Sequence, residues 1–175
     1  MTAADAAQDG EFLRFDLDWR DALAWERVDP RHRRRGRVAV AASLFAGIGL
    51  VKVTGSHLAD LRWLHSVPMA AVFILMPAVA VLLLQTQAAA RRARERFPRV
   101  VRVETEISPS RVVQRVAGDE AAVRIGAKSL REVVVRADHI FLSNGTDVAI
   151  LPARAFGSGP EKDAFAARWR QKLRD

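Results

Sequence analysis

The alternation of apolar and polar residues changes period along the chain, and the first change lies at Asp18. Residues 11–18 (EFLRFDLD) alternate strictly, which is typical of a half-buried strand. Residues 19–28 (WRDALAWERV) have helical spacing, with Asp18 as the N-cap. The apolar face of this helix either lies on a membrane or packs on a folded domain, and the acidic composition favours packing. Residues 1–10 are predicted to form a disordered tail.

Two apolar runs follow, and the second is the longer. Residues 67–84 (VPMAAVFILMPAVAVLLL) are apolar on every side, and a helix of that length crosses the ~30 Å hydrocarbon core of a bilayer. A core helix of a soluble domain normally keeps one polar stripe, and this run has none. Residues 38–51 form a shorter run, which needs the residues up to Ser56 to reach a spanning length. We predict a transmembrane helical hairpin over 37–86, with helices near 37–56 and 64–86.

From residue 100 onward the period is two until a final helix. Asn144–Gly145 is a type I′ hairpin signal, and Ser158 with Glu161 has capping-box spacing before a helix over 160–174. Together these elements predict a small antiparallel barrel or sandwich over 100–175, plugged by that helix. The N-terminal strand is predicted to join its sheet. The six strand-like segments are 100–107, 111–116, 122–126, 131–137, 139–144 and 146–152.

Arginine clusters lie at both outer ends of the apolar hairpin. The first cluster is the basic flank that follows the strand and the short helix in the predicted N-terminal segment 11–36. The second cluster lies in a predicted basic linker over 87–99. The only basic Lys or Arg residues in the connection between the apolar runs are Lys52 and Arg62. Such clusters also suit nucleic acid, but two of them bracketing an apolar hairpin favour anionic lipid headgroups. Under the positive-inside rule they place both termini in the cytoplasm. The topology-determining residues are Arg31, Arg33, Arg34, Arg35, Arg37, Arg91, Arg92, Arg94 and Arg96.

Motifs for catalysis or metal binding are missing from the sequence. The chain has no cysteine, which excludes disulfides, thiolate metal sites and cysteine nucleophiles. His57 and His65 flank a turn with Asp60 as the nearby carboxylate, a set too small to predict a metal site. No Gly-x-Ser-x-Gly motif occurs, and Gly157–Gly159 is not followed by the lysine of a phosphate loop. We therefore predict no enzyme activity, no cofactor and no metal.

Two sets of residues are candidates for binding. A ridge of small residues on the first apolar helix lets another helix approach closely, and it consists of Ala39, Ser43 and Gly47. A basic set on the strands is suited to anionic headgroups or phosphate, unless the interleaved acids make it an ordinary mixed surface. This basic set consists of Arg111, Arg115, Arg124, Lys128 and Arg131.

Two short stretches resemble the YcxB-like family of bacterial membrane proteins. FDLDWRDALAW (15–25) is similar to an aromatic strand followed by an acidic, aromatic helix start, and ILPARAF (150–156) to an apolar strand ending in Pro, a basic residue and Phe. The resemblance covers nearly the whole chain and implies two transmembrane helices with a cytoplasmic PH-like domain. One stretch departs from the family: GAKSLREV (126–133) lacks the Trp that often opens the segment before the fourth strand.

The sequence thus predicts an α+β protein of the bacterial inner membrane. A two-helix transmembrane hairpin carries a small antiparallel PH-like β domain, capped by the C-terminal helix. The first function hypothesis is a non-catalytic module that binds a protein partner or an anionic lipid headgroup, with the small-residue ridge supporting a homo-oligomer. The alternative is an accessory subunit of a membrane transporter or envelope enzyme complex, docked through its hairpin. Besides the lipid bilayer we expect no nucleic-acid and no metal partner.

Overall fold

The computed structural model describes residues 11–57, 67–119 and 121–174 of the chain. It divides into two compact units. The α+β unit takes the chain up to Trp25 and from Ala93 onward, and the helical unit is Glu26–Arg92. The predicted tail over 1–10 and most of the predicted turn between the apolar helices lie outside the described residues.

Helices and strands follow one another in an order close to the predicted one. Short 3₁₀ turns follow the fourth and seventh strands, at Ala127–Ser129 and Ala153–Ala155. The elements in chain order are β1 (Glu11–Leu17), α1 (Trp19–Glu26), α2 (Pro30–His57), α3 (Val67–Arg96), β2 (Val101–Ser108), β3 (Arg111–Val116), β4 (Ala122–Gly126), β5 (Glu132–Val135), β6 (His139–Ser143), β7 (Val148–Pro152) and α4 (Gly159–Lys172).

The strands form two antiparallel sheets, a four-stranded sheet in the order β1-β2-β3-β4 and a three-stranded sheet in the order β5-β6-β7. β1 pairs with β2 over its full length, from Glu11 opposite Ile107 to Leu17 opposite Val101. This pairing confirms that the N-terminal strand joins the C-terminal sheet. The α+β unit is therefore formed by two segments of the chain, one before the helical unit and one after it.

The core of the α+β unit lies on the apolar faces of the sheets, under α1 and α4. Ile125 and Ile140 are fully buried, and the Trp25 ring of α1 lies 5.4 Å from that of Phe141. This confirms that α1 packs on the folded domain. Phe165 and Trp169 of α4 are buried, whereas Leu173 follows the end of the helix and is exposed.

Gln114 links the two sheets through its buried side-chain amide. Its Nε2 donates to the carbonyl of Ile150 at 2.9 Å, and its Oε1 accepts from the Ile150 N–H at 3.2 Å. Nε2 also donates to Thr105 Oγ1 at 3.2 Å. Because buried backbone polar groups must be paired, this amide takes the place of a strand partner for β7.

Each of the two long helices extends past one of its predicted bounds, because α2 begins before residue 37 and α3 ends after residue 86. α2 begins at Pro30, with the Asp29 carboxylate accepting from the Arg31 N–H at 2.9 Å, so the basic flank after Pro30 is helical. Asp at the N-cap followed by Pro at the first position is a strong start signal. α3 continues to Arg96, so most of the predicted basic linker 87–99 is helical, because Ala, Gln, Arg and Glu are good helix formers.

The β6–β7 hairpin is present, but its predicted type I′ turn is wrong. A type I′ turn needs positive φ at both central residues, and among the described residues only Gly118 and Gly145 have positive φ. Instead four residues connect Ser143 to Val148, which are paired in the ladder. The Asn144 side chain accepts from the backbone N–H groups of Thr146 and Asp147 at 2.9 and 2.7 Å, which closes the loop.

α2 and α3 are both long and apolar enough to span a membrane. The candidate spans lie within Pro30–Val53 and Ile74–Arg96, and only 6% of the apolar window in each is buried. A core helix of a soluble domain is mostly buried, so this exposure disfavours that alternative. Within the helical unit the Gln85 amide donates to the carbonyl of Gly36 at 3.3 Å, which links the two helices. Large apolar side chains that are exposed here include Phe45, Ile48, Leu75, Met76, Val79, Leu83 and Leu84.

Candidate functional site

The five residues of the predicted basic set lie in two places. Arg111 and Arg115 of β3 share one face of the four-stranded sheet with Arg124 of β4, whose register partner is Val113. Lys128 lies in the 3₁₀ turn after β4, and Arg131 directly precedes β5 of the other sheet. The structure therefore brings three of the five onto one sheet face and leaves two in the connection between the sheets.

Carboxylates partly neutralise this sheet face, which we call the outer face. Glu106 lies 3.3 Å from Arg111 and 3.7 Å from Arg115, so one acid serves two arginines. The arginine of β4 has no carboxylate partner in the described part of the chain. Exposed ion pairs of this kind add little stability. The other charged members of the outer face are Arg14 with Glu104 at 2.9 Å, and Arg102 with Asp16 at 3.6 Å.

A buried cluster around Asp21 was not predicted. Asp21 is only 3% exposed. Its carboxylate accepts from the N–H of the N-cap residue Asp18 at 2.9 Å, so Asp21 is the N3 residue of a capping box on α1. His139 Nε2 lies 2.8 Å from Asp21 Oδ1. Arg154 binds both carboxylate oxygens, at 3.0 and 2.6 Å, and donates to the carbonyl of Asp16 at 2.7 Å. The cluster ties α1 and the end of β1 to the chain around β6 and β7.

The protonation of Asp21 is set by two opposing effects. Burial alone raises the pKa of the Asp21 carboxyl, but the hydrogen bonds from His139 and Arg154 outweigh it and hold this pKa well below its usual value. The hydrogen bond with Asp21 in turn raises the pKa of Arg154. Asp21 therefore stays ionised at any physiological pH and acts as a fixed anion. A group so strongly ionised is a poor general acid or base.

Because of Asp21, the free energy of unfolding of the α+β unit is expected to fall as the pH becomes acidic. The folded pKa of Asp21 lies below the usual 3.8, so its contribution is present above that pH and is lost as pH falls. Between pH 5 and pH 3 the wild type is expected to lose about 1 kcal/mol through this group, because the unfolded carboxyl binds a proton and the folded one does not. Urea unfolding of wild type and Asp21→Asn at both pH values measures the difference. Equal pH slopes would contradict the assignment.

Only one sequence signal pointed toward this cluster. Asp21 belongs to the stretch 15–25 and Arg154 to the stretch 150–156, the two stretches that carry the family resemblance. In the structure these stretches meet through the Arg154–Asp21 ion pair. Spacing along the chain gave no reason to join them, since 133 residues separate the two side chains.

Two arginines share the ring of Trp19 at the start of α1. The guanidinium carbon of Arg20 lies 5.8 Å from the centre of this ring, and that of Arg94 lies 5.2 Å from it. Trp19 is half-buried, and both arginines are exposed. Their side chains have no carboxylate partner among the residues that the structure describes. This group of three, which we call the Trp19 cluster, is a concentration of unneutralised positive charge.

A small cleft of about 230 Å³ lies between α4 and the turn after β2. Arg168, Trp169 and Lys172 line one side, and Ile107, Ser108 and Pro109 line the other with Glu11. The ammonium of Lys172 lies 4.7 Å from the centre of the Trp169 ring. Burial, with a smaller effect from Arg168, lowers the pKa of Lys172. Because Glu11 also lines the cleft, its charge is mixed.

The predicted small-residue ridge lies along α2 with graded exposure. Ala39 is exposed, Ser43 is half-buried and Gly47 is buried. The Ser43 hydroxyl donates to the carbonyl of Val40 within its own helix at 2.8 Å, so it needs no partner on another helix. The accessible part of the ridge is therefore its beginning, near Ala39.

Comparison with known proteins adds no further assignment. No protein-family model, curated protein or solved structure matches the chain. No group of three or more metal-ligating side chains occurs within the described residues.

Proposed function

We propose that the protein is a non-catalytic membrane protein of the bacterial inner membrane, whose α+β unit is a cytoplasmic PH-like module that binds a protein partner or an anionic lipid headgroup. The membrane assignment rests on two helices that are long and apolar enough to span, with exposed apolar side chains along them. The family resemblance supports the bacterial origin and the PH-like domain.

The pairing of β1 with β2 carries the topology part of this proposal. β1 precedes both apolar helices in the chain and β2 follows both, yet their backbones form one continuous ladder. A sheet cannot be divided by a bilayer, because its backbone groups must pair with one another. If the two helices span, the N- and C-terminal parts must therefore lie on one side of the membrane. The arginines of 31–37 and 91–96 favour the cytoplasmic side.

The arrangement of the strands supports the PH-like assignment. A four-stranded and a three-stranded antiparallel sheet, followed by a helix whose Phe165 and Trp169 are buried, are what we expect of such a domain. The outer face, with five arginines and three carboxylates, is suited to an acidic partner. In the described part of the chain the Asp21 cluster is held by internal partners, which makes it a structural feature rather than a binding site.

Reporter fusions test the topology. A cytoplasm-dependent fluorescent reporter at residue 175 and at the N-terminus is expected to be active, and a periplasm-dependent reporter inserted between residues 57 and 63 is expected to be active outside. Alkaline carbonate is expected to leave the protein in the membrane fraction. A periplasmic C-terminus, or release of the protein by carbonate, would overturn the proposal.

An accessory subunit of a membrane transporter or envelope enzyme complex is the alternative, and the accessible start of the α2 ridge at Ala39 favours it. This alternative requires a stoichiometric partner that stays bound to the full-length protein in detergent. Ala39→Leu is then expected to release the partner, because the larger side chain blocks close helix approach, while Ala41→Leu serves as a control at another exposed alanine of α2. If only self-association is found, the ridge serves a homo-oligomer instead.

A further inference from the structure

We infer that the Trp19 cluster binds the phosphate group of an anionic phospholipid, with Arg20 and Arg94 as the phosphate ligands beside the Trp19 ring. The inference rests on the proposed function, since it requires α3 to span the membrane. It assigns the lipid to the start of α1 and the end of α3 and not to the outer face of the sheet.

The first argument is the uncompensated charge. Each arginine lies within 6 Å of the centre of the same ring, so both guanidinium groups are in cation–π contact with Trp19. Placing two guanidinium groups on one ring also brings like charges together, which costs energy unless an anion is bound. Among the described residues no carboxylate supplies that anion. A phosphate accepts charge-assisted hydrogen bonds from both arginines and removes the repulsion.

The second argument is the contrast with the outer face. There Glu106 lies near Arg111 and Arg115, and Glu104 lies 2.9 Å from Arg14, so most of the arginines already have an anionic partner. A phosphate at that face must compete with these carboxylates. At the Trp19 cluster it does not, which makes the cluster the stronger anion site.

The third argument is the place of Arg94 on its helix. The uncharged run of the chain ends at Ala90, and Arg94 follows four residues later on α3. Four residues of α-helix rise about 6 Å, which matches the roughly 5–8 Å thickness of the headgroup layer on each side of the hydrocarbon core. Tryptophan is enriched at that depth, because its ring is apolar and its N–H is polar. Trp19 and the two arginines thus have the chemistry of the headgroup region.

Native mass spectrometry of the full-length protein in detergent tests the site. Titration with phosphatidylglycerol is expected to give one lipid bound more tightly than phosphatidylcholine. The variant Arg20→Gln/Arg94→Gln is expected to weaken that lipid about 30-fold, or about fivefold for each arginine. Arg20→Lys/Arg94→Lys keeps the charge but loses the planar fork, and a smaller loss is expected. Circular dichroism checks that each variant folds.

The matched control is Arg34→Gln/Arg35→Gln, which removes two exposed arginines from α2. It is expected to leave the tight lipid bound. An equal loss in this control would overturn the site in favour of diffuse attraction to the basic flanks. Equally tight binding of glycerol 3-phosphate would overturn the lipid assignment in favour of a soluble phosphate ester. Release of the wild type by alkaline carbonate would contradict the proposed function, whereas membrane insertion without a phosphatidylglycerol preference would contradict this inference alone.

Discussion

Val79→Asp is expected to reduce membrane insertion of the protein about 100-fold. Val79 lies near the middle of the uncharged run of α3, and its side chain is 51% exposed. An aspartate at the centre of a transmembrane helix costs about 2.5–3.5 kcal/mol of apparent insertion free energy, and the favourable contribution of valine is lost as well. The ten Val, Ile, Leu and Phe residues of 67–84 contribute only about −3 to −6 kcal/mol in all, so this one substitution offsets at least about half of their favourable insertion free energy.

The carbonate-resistant fraction of the protein in membranes measures this effect. Thr86→Asp is the matched control, because it adds the same charge to an exposed residue of α3 near the end of the apolar run, where the carboxylate can reach water. It is expected to change insertion much less. If α3 were a helix on the surface of a soluble protein, both substitutions would be tolerated within about 0.5 kcal/mol. Equal tolerance at the two positions would therefore contradict a membrane span.

The position of β2 was predictable from the sequence because this strand buries one face. Val103, Thr105 and Ile107 point inward on β2 and alternate with exposed residues, and this pattern of period two can be read directly. The buried β6 and β7 are nearly apolar throughout and show no alternation, so the turn residues between them predicted where these strands end. The turn type was wrong because the Asn144 side chain can close a longer loop, which the dipeptide alone does not reveal.

The ends of the helices were less predictable, because hydropathy indicates where the apolar run ends and backbone hydrogen bonding determines where the helix ends. The apolar run marks the length that fits the hydrocarbon core, and residues beyond it can remain helical when they are good helix formers. Ala88–Ala90 and the arginines after them illustrate this, since α3 continues to Arg96. Pro30 illustrates it at the other helix, because α2 begins there, seven residues before the predicted start at residue 37.

The candidate binding residues were the hardest to predict, because charge on a strand does not show which charges are neutralised. Arg111 and Arg124 share a sheet face, but only the register shows that Glu106 lies beside one of them. The Trp19 cluster joins residues from α1 and α3 that are 75 positions apart in the chain. Contacts of this kind depend on how two helices pack against each other, and the spacing of apolar residues along the chain predicts that packing only coarsely.

Asp21→Ala is expected to destabilise the α+β unit by about 3 kcal/mol. Removing one partner of a buried ion pair costs about 3–5 kcal/mol, because the groups left behind are unpaired. The value is at the low end here, since the Arg154 side chain is 54% exposed and can regain water, while that of His139 is only 13% exposed. The lost capping box of α1 adds to the cost.

Urea unfolding of the full-length protein in lipid nanodiscs, followed by near-ultraviolet circular dichroism, measures the loss, with Asp163→Ala as the control for an exposed carboxylate of α4. The control is expected to change the free energy of unfolding by less than about 0.5 kcal/mol. In a double-mutant cycle, Asp21→Ala with Arg154→Ala is expected to cost about 1–2 kcal/mol less than the sum of the single changes, because the second change removes a cation that the first left unpaired. Additive losses would mean that Arg154 and Asp21 do not stabilise one another, and that the N-terminal strand and helix are held by the β1–β2 ladder and the Trp25 contact alone.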